Sequence, residues 1–434
     1  MKKILSFLLL ANMFLVANGQ NASSPFHMVV SVDGSGDYKR VQDAIDAVPD
    51  GCTEPWLIFI KNGHYNEQVV IPKEKTYVHL IGQDKEKTVI HLNLNVGGQP
   101  KDTDSKGKIA FWETSVHNPQ SPVHKYEGTV VLVKGKNFYT ENISYVNDFG
   151  VLAENGPQAL AMNSQADCAS FYNCKFRSFQ DTWMTATNDT CRHYIKDCWI
   201  EGAVDYLYGG GDVLVENSTF YNVRSGSVIV APCHTNAQYG YVFRDCTVDG
   251  NELAADGGQK LGRPWHNNPK TTYINTTMLI PIAEDGWSNM GTIPELFAEY
   301  NSRDKSGELL DLSKRKTDYE HTNRETGVVT KGTARATVTK AEADAMVYEN
   351  MIPGKDGWNP RVMMHSLDRP GKPIYEDGLF SWQPVKGAIG YVVMDGEKVL
   401  GTTTSTSFPV KKVSHALKVC AVNKYGSLGM KRVL

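Results

Sequence analysis

Four polar side chains in the middle of this 434-residue chain fall at nearly one interval. Gln158 and Gln180 are 22 residues apart, and Asp181 and Asp205 are 24 apart. A step in the low twenties, filled with short Phe, Tyr, Ile and Val runs and broken by Asn, Asp and Gly, reads as one solenoid coil per step. Equivalent positions on successive coils are then neighbouring parallel strands, about 4.8 Å apart. Gln158, the Gln180–Asp181 pair and Asp205 would climb one wall on three consecutive coils. Carboxylates that close repel, so one tends to keep its proton while the other ionises. An acid beside an anionic nucleophile is what cleavage of an ester or a glycosidic bond needs. The structural alternative is a ladder of Asn, Gln and Asp side chains bonded up and down the stack.

Short strand-like runs at 56–61, 68–71 and 77–82, then 129–133 and 138–145, lead into this stretch. Others at 213–220, 227–230, 241–248 and 272–279 follow it. The expected fold class is all-β, a right-handed parallel β-helix. Val41, Ala44, Ile45 and Val48 fall at i, i+3, i+4 and i+7, the apolar face of a helix, with Asp37 as its expected N-cap and Pro49 as its stop. A solenoid needs its open end covered, and this helix is the expected cap. Thr339 and Glu342 form a capping box at the head of a second helix, expected to run to about residue 350. The polar stretch 97–128 is long for a connection within a repeat and is expected to be mobile or to help hold a ligand beside the groove.

Six blocks carry a resemblance. GPQAL (156–160), QDT (180–182), DYLYG (205–209) and LGRPW (261–265) look like the four signature blocks of the pectin methylesterases, or pectinesterases. GHYNE (63–67) matches their G-x-Y-x-E, and DGSGDYKRVQDAIDAVP (33–49) resembles the family's start; the blocks stand in family order across residues 28–300. The resemblance implies hydrolysis of galacturonate methyl esters in pectin. It implies Asp205 as nucleophile, Asp181 as general acid and then base, Gln158 and Gln180 as donors to the developing oxyanion, and Arg263 as the partner of Asp205. The gap from Asp205 to Arg263 exceeds one coil, so that contact is implied by the resemblance alone. Trp265 would present a flat face to a sugar, with Trp183, Tyr206, Phe179 and Tyr208 as further candidates against the alternative that they pack the solenoid. Trp183 stands where the family usually has Leu, and Tyr206 and Tyr208 where it usually has Phe. His234 and His266, near the signature blocks, read as structural or surface residues.

The whole chain bears on these expectations. A net charge of −3 leaves no basic footprint, so nucleic acid is not an expected partner, and 41% hydrophobic residues suffice for a large core. Lys2 and Lys3, an apolar run at 4–16 and Ala17-Asn18-Gly19 read as a cleavable secretory signal over 1–19. With no cysteine after the cut and no later run of transmembrane length, the protein is expected to be a secreted or periplasmic monomer. The eight cysteines read as stacked free thiols in preference to disulfides. No zinc spacing and no G-x-S-x-G elbow occurs, so neither a metal cofactor nor a serine nucleophile is called for.

The expected catalytic domain covers 26–365. After DRPGKP (368–373) comes a segment, 371–434, whose W-x-P-V-x-G-A-x-G-Y pattern around Trp382 resembles a fibronectin type III-like β-sandwich. A glycoside hydrolase on the pectin backbone and a silent polysaccharide-binding solenoid are the competing functions.

Overall fold

In this computed structural model the described residues are 23–96, 128–323, 325–412 and 414–434. The leader at 1–19 and nearly all of 97–128 lie outside them.

The short apolar runs form three parallel sheets of eleven, nine and seven strands, here sheets A, B and C. Each coil passes through A, B and C in turn, and every pairing within these sheets is parallel. This is a parallel β-helix. Inward residues such as Phe171, Phe176, Trp183, Ile200, Phe220 and Phe243 fill a continuous interior. The eleven strands of sheet A extend to Arg335–Thr337, well past the last strand legible in the sequence near residue 279.

The A-to-B corner explains two sequence patterns together. Asn142, Asn173, Asp197, Asn217, Asp245, Asn275 and Asn301 all adopt φ between 46° and 58° there, a left-handed conformation that Asn and Asp tolerate better than most residues. Their side chains link coil to coil: Asn173 Nδ2 donates to Asn142 Oδ1 at 2.6 Å, and Asn301 Nδ2 to Asn275 Oδ1 at 2.7 Å. The polar ladder is therefore real, and it runs along a different corner of the coil from the one that carries Asp181 and Asp205. The next residue on each coil turns inward, and Cys174, Cys198 and Cys246 occupy that row with Ser218, Thr276 and Ser302, all buried. Only Ile143, after Asn142, breaks this row of small side chains. All eight cysteines are free thiols.

The capping helix is Val41–Asp46, and Val41, Ala44, Ile45 and Val48 pack into the interior. Its N-cap is Arg40, not Asp37, whose carboxylate instead accepts from the Val29 amide at 2.8 Å. The orphan amides of Val41 and Gln42 donate to the Glu67 carboxylate at 2.8 and 3.0 Å. GHYNE is thus a fastener between cap and first coil. Gly63–Asn66 is itself a sheet B strand, not a turn, with Tyr65 buried. The Thr339–Glu342 capping box forms, but its helix stops at Ala345 and a separate turn follows at Tyr348–Met351.

Residues beyond 338 cover the outer face of sheet A. Arg244 donates to the carbonyls of Ala343 and Met346, Arg192 to those of Ile352 and Pro353, and Arg361 to both oxygens of Glu216. The C-terminal segment forms a three-stranded and a four-stranded antiparallel sheet around Phe380, Trp382, Tyr391 and Val419. Leu367 already belongs to this core, ahead of the expected boundary. The segment's Val392, Met394, Cys420 and Val422 share a second apolar core with Phe59, Ile81 and Tyr139 on the outside of sheet A. Among the described residues no helix is long and apolar enough to cross a membrane.

Candidate active site

The B-to-C corner carries the acids. Gln180 bridges to Val204 and Trp183 pairs with Leu207, so Asp181 and Asp205 stand in register on adjacent coils. The Asp181 amide donates to the Val204 carbonyl at 2.9 Å. Both aspartates hold a left-handed backbone, φ 60° and 49°, which turns their side chains out of the strand alternation. Asp205 also lies where the register shifts. Between Val204 and Leu207 the strand advances three residues while its neighbour advances two, from Val228 to Val230. That extra residue is a bulge, a device that re-aims a side chain.

Arg263 follows the strand Lys260–Gly262, two strands beyond Asp205 in sheet C. Its amide is fixed on the Val230 carbonyl at 3.0 Å, and its guanidinium reaches back over Val228–Pro232. Nε and Nη2 donate to the two carboxylate oxygens of Asp205 at 2.8 and 2.6 Å. Asp205 is only 6% exposed, so this counter-charge compensates a nearly buried carboxylate. Burial, and after it the charge of Asp205, push the Asp181 carboxyl well above the ordinary carboxylate range, with Arg263 pulling the other way. The two acids are thereby differentiated: one faces a guanidinium, and the other is pushed toward its protonated form.

Gln158 enters one coil earlier, just ahead of Leu160–Ser164, with its carbonyl accepting from the Val96 amide at 2.7 Å. The Ala159 amide donates to the Gln180 carbonyl at 3.0 Å, which brings the two glutamines side by side on adjacent coils. The Gln180 side chain reaches Gly156, where an added Cβ would sit 3.0 Å from Oε1. Both glutamines are partly exposed.

Of the five aromatic candidates, only Trp265 lies partly open to the groove, with Tyr208 buried beneath it. It is half-buried, edge-on to Tyr208 at 5.6 Å, and packs against an apolar patch of Val96, Leu160, Tyr208 and Ala231 with Met184. Trp183 and Tyr206 are corrected: both are fully buried and cannot stack on a sugar. Trp183 lies 4.1 Å from Phe176 inside the solenoid, its Nε1 donating to Ser164 Oγ at 2.9 Å. Phe179 is corrected too, at 3% exposed beneath the Arg224 guanidinium. Strand alternation is the reason for Trp183, and the bulge at 204–207 turns Tyr206 inward beside Leu207. Beyond each left-handed aspartate the second residue points in (Trp183, Leu207) and the third points out (Met184, Tyr208). Met184 is the groove residue that sequence reasoning missed, because its direction follows from the left-handed turn at Asp181 and not from its residue type.

His234 is fully buried and His266 lies exposed beside Trp265. Among the described residues the one metal-like cluster, Asp167, Cys168 and Asp356, is bound by the Arg192 guanidinium, which bonds to all three.

The sequence profile of the pectinesterase family matches residues 27–111 and 102–317 of this chain. Pectinesterase 31 of Arabidopsis thaliana is 35% identical over 270 residues, 60% of this chain and 76% of that protein. A pectinesterase of Petunia integrifolia is 32% identical over 289 residues, covering 63% of this chain and 70% of the relative. Among solved structures, a pectin methylesterase from carrot superposes with a TM-score of 0.59 at 21% identity, over 76% of this chain and 94% of that one. A pectin methylesterase from Erwinia chrysanthemi gives a TM-score of 0.58 at 21% identity, over 76% and 97%. At those identities the structural likeness is one of fold.

Proposed function

We propose, from the premise that this chain belongs to the pectinesterase family, that Asp205 and Asp181 carry the removal of methyl esters from the galacturonate residues of pectin. The chain is a carbohydrate esterase; its products are methanol and a free carboxylate on the polymer. The observation that supports the assignment of roles is the two-point pair of Arg263 with Asp205, in register with a second acid on the next coil.

An Asp205 oxygen attacks the ester carbonyl carbon, and negative charge builds on the carbonyl oxygen. Amide N–H groups of Gln158 and Gln180 donate to that oxygen. The tetrahedral species collapses to an anhydride between Asp205 and the galacturonoyl group as Asp181 passes its proton to the departing methoxide, giving methanol. Asp181, now a carboxylate, takes a proton from water, and the water oxygen attacks the acyl carbon. Collapse releases the galacturonate acid and restores the Asp205 carboxylate. The proton on Asp181 is restored in the same turnover. Trp265, with Met184 and Tyr208, offers the apolar surface on which a sugar ring rests.

The reading includes export as a monomer after removal of 1–19, and the N-terminal mass of secreted protein tests the cleavage point. Highly methylated pectin tests the chemistry. Methanol without new reducing ends or unsaturated products is the expected outcome; new reducing ends would indicate a glycoside hydrolase, and binding without product a silent solenoid. Asp205→Ala should abolish methanol release.

A further inference from the structure

Asp205 sits in the bulge between Val204 and Leu207, where the ladder to the following strand is interrupted. Backbone pairing therefore leaves the nucleophile less constrained than its neighbours, although catalysis needs it fixed to within a fraction of an ångström. The residue that follows it within the bulge is Tyr206, which points into the solenoid interior.

The Tyr206 hydroxyl donates to Asn222 Oδ1 at 3.2 Å, and Asn222 Nδ2 donates to the Asp249 carbonyl at 2.9 Å. Both side chains are fully buried. Asn222 stands on sheet B between Gly202 and Gly250, in register with both. Gly202 leaves the space that Tyr206 fills, since a Cβ there would lie 2.3 Å from Tyr206 Cβ and 2.8 Å from Thr182 Oγ1. The chain of bonds thus ties the bulge on one coil to the next coil and to the one after it. That last coil also carries Arg263, and its strand is held from inside by Tyr273, whose hydroxyl donates to the Leu261 carbonyl at 2.9 Å. Asp181 has a matching support, because the Thr182 hydroxyl donates to the Glu201 carbonyl at 2.8 Å. A buried polar chain this complete is costly unless every member is bonded, so its members are geometrically constrained.

We propose that Tyr206, through its hydroxyl on Asn222, is a positioning residue that fixes the displaced Asp205 in the orientation facing Asp181 and Arg263. It touches no substrate and acts from beneath the site. The inference rests on Asp205 being the nucleophile.

The test uses the full chain with Tyr206→Phe, Asn222→Leu and the double substitution. It measures kcat and KM on methylated pectin, the pH profile of kcat, and the thermal midpoint. Tyr206→Phe is expected to lower kcat about ten-fold with KM changed less than about two-fold, since a misplaced nucleophile loses orientation and not binding. The high-pH limb should also move to lower pH: the groups facing Asp181 are Asp205 and Arg263, and a receding Asp205 raises its proton affinity less. The double substitution removes both members of the Tyr206–Asn222 bond and leaves only the Asp249 carbonyl without its Asn222 donor, so the midpoint should recover in part, above that of Asn222→Leu, while kcat stays low. If the single variant does not accumulate, the double variant carries the test. A fall in midpoint with unchanged kcat and unchanged pH limb overturns the proposal, as does recovery of kcat together with the midpoint in the double variant. Residual methanol release by Asp205→Ala would instead sink the nucleophile assignment itself.

Discussion

Arg263 and Asp205 meet through two hydrogen bonds, 2.8 and 2.6 Å, from strands separated by one intervening strand of sheet C. The contact sets both the charge and the orientation of the carboxylate. Arg263→Ala should lower kcat on methylated pectin by roughly two orders of magnitude or more. Arg263→Lys keeps the charge but not the planar fork, so it should recover only part of the loss. Full activity in the lysine variant would show that charge alone suffices.

Asp181 predicts a conflict between stability and activity. Folding raises its proton affinity, so the folded protein keeps a proton that the unfolded chain releases above about pH 3.9. Stability therefore falls as pH rises through that value toward the folded one. Asp181→Asn has no such loss. Its thermal midpoint should exceed wild type at pH 7, and the gap should close below about pH 3, while methanol release disappears. A variant less stable than wild type at pH 7 would contradict the buried, protonated acid.

Two tryptophans should separate cleanly in kinetics. Trp265→Ala removes an open ring, so KM for polymeric substrate should rise about ten-fold with kcat little changed. Trp183→Phe alters only the interior, so it should lower stability by about 1–3 kcal/mol and leave KM alone. A raised KM in the Trp183 variant would mean that the ring reaches the groove after all.

Glu67 accepts from the first two amides of the capping helix while 2% exposed. Glu67→Gln offers one acceptor oxygen in place of two, and should cost about 1–2 kcal/mol in denaturant unfolding without changing kcat. Lost activity at unchanged stability would give GHYNE a part in catalysis.

Sheet A and the four-stranded C-terminal sheet share a core, and the buried Glu141 carboxylate takes donors from Tyr139, Ser427 and the Leu428 amide. Calorimetry of the whole chain should show one cooperative transition. Two resolved transitions would mean that the C-terminal segment unfolds as an independent, tethered domain.

The solenoid, its cap and the in-phase set of Gln158, Gln180, Asp181 and Asp205 were legible because each leaves a local or periodic trace, whereas Arg263 was marked only by its motif block. Parallel strands repeat their residue types once per coil, and the motif blocks keep Asp181, Asp205 and the glutamines in phase. The aromatic contacts were not legible in the same way. The left-handed turns at Asp181 and Asp205 reset the in–out alternation, and a string of letters does not display φ. The N-cap was misplaced for a related reason: Glu67 lies 26 residues after the amide it caps, and no helix-start pattern looks that far.

Sequence alone carried the coil through its periodicity, and the motif blocks carried the family and with it the ester chemistry, since repeat spacing and residue type are one-dimensional properties. Tertiary structure decided which acid keeps its proton, which aromatic ring meets the groove, and that Arg263 arrives from two strands away. Those outcomes depend on burial, on backbone conformation at two residues, and on distances between segments far apart in the chain. None of these is a property of any short stretch of sequence.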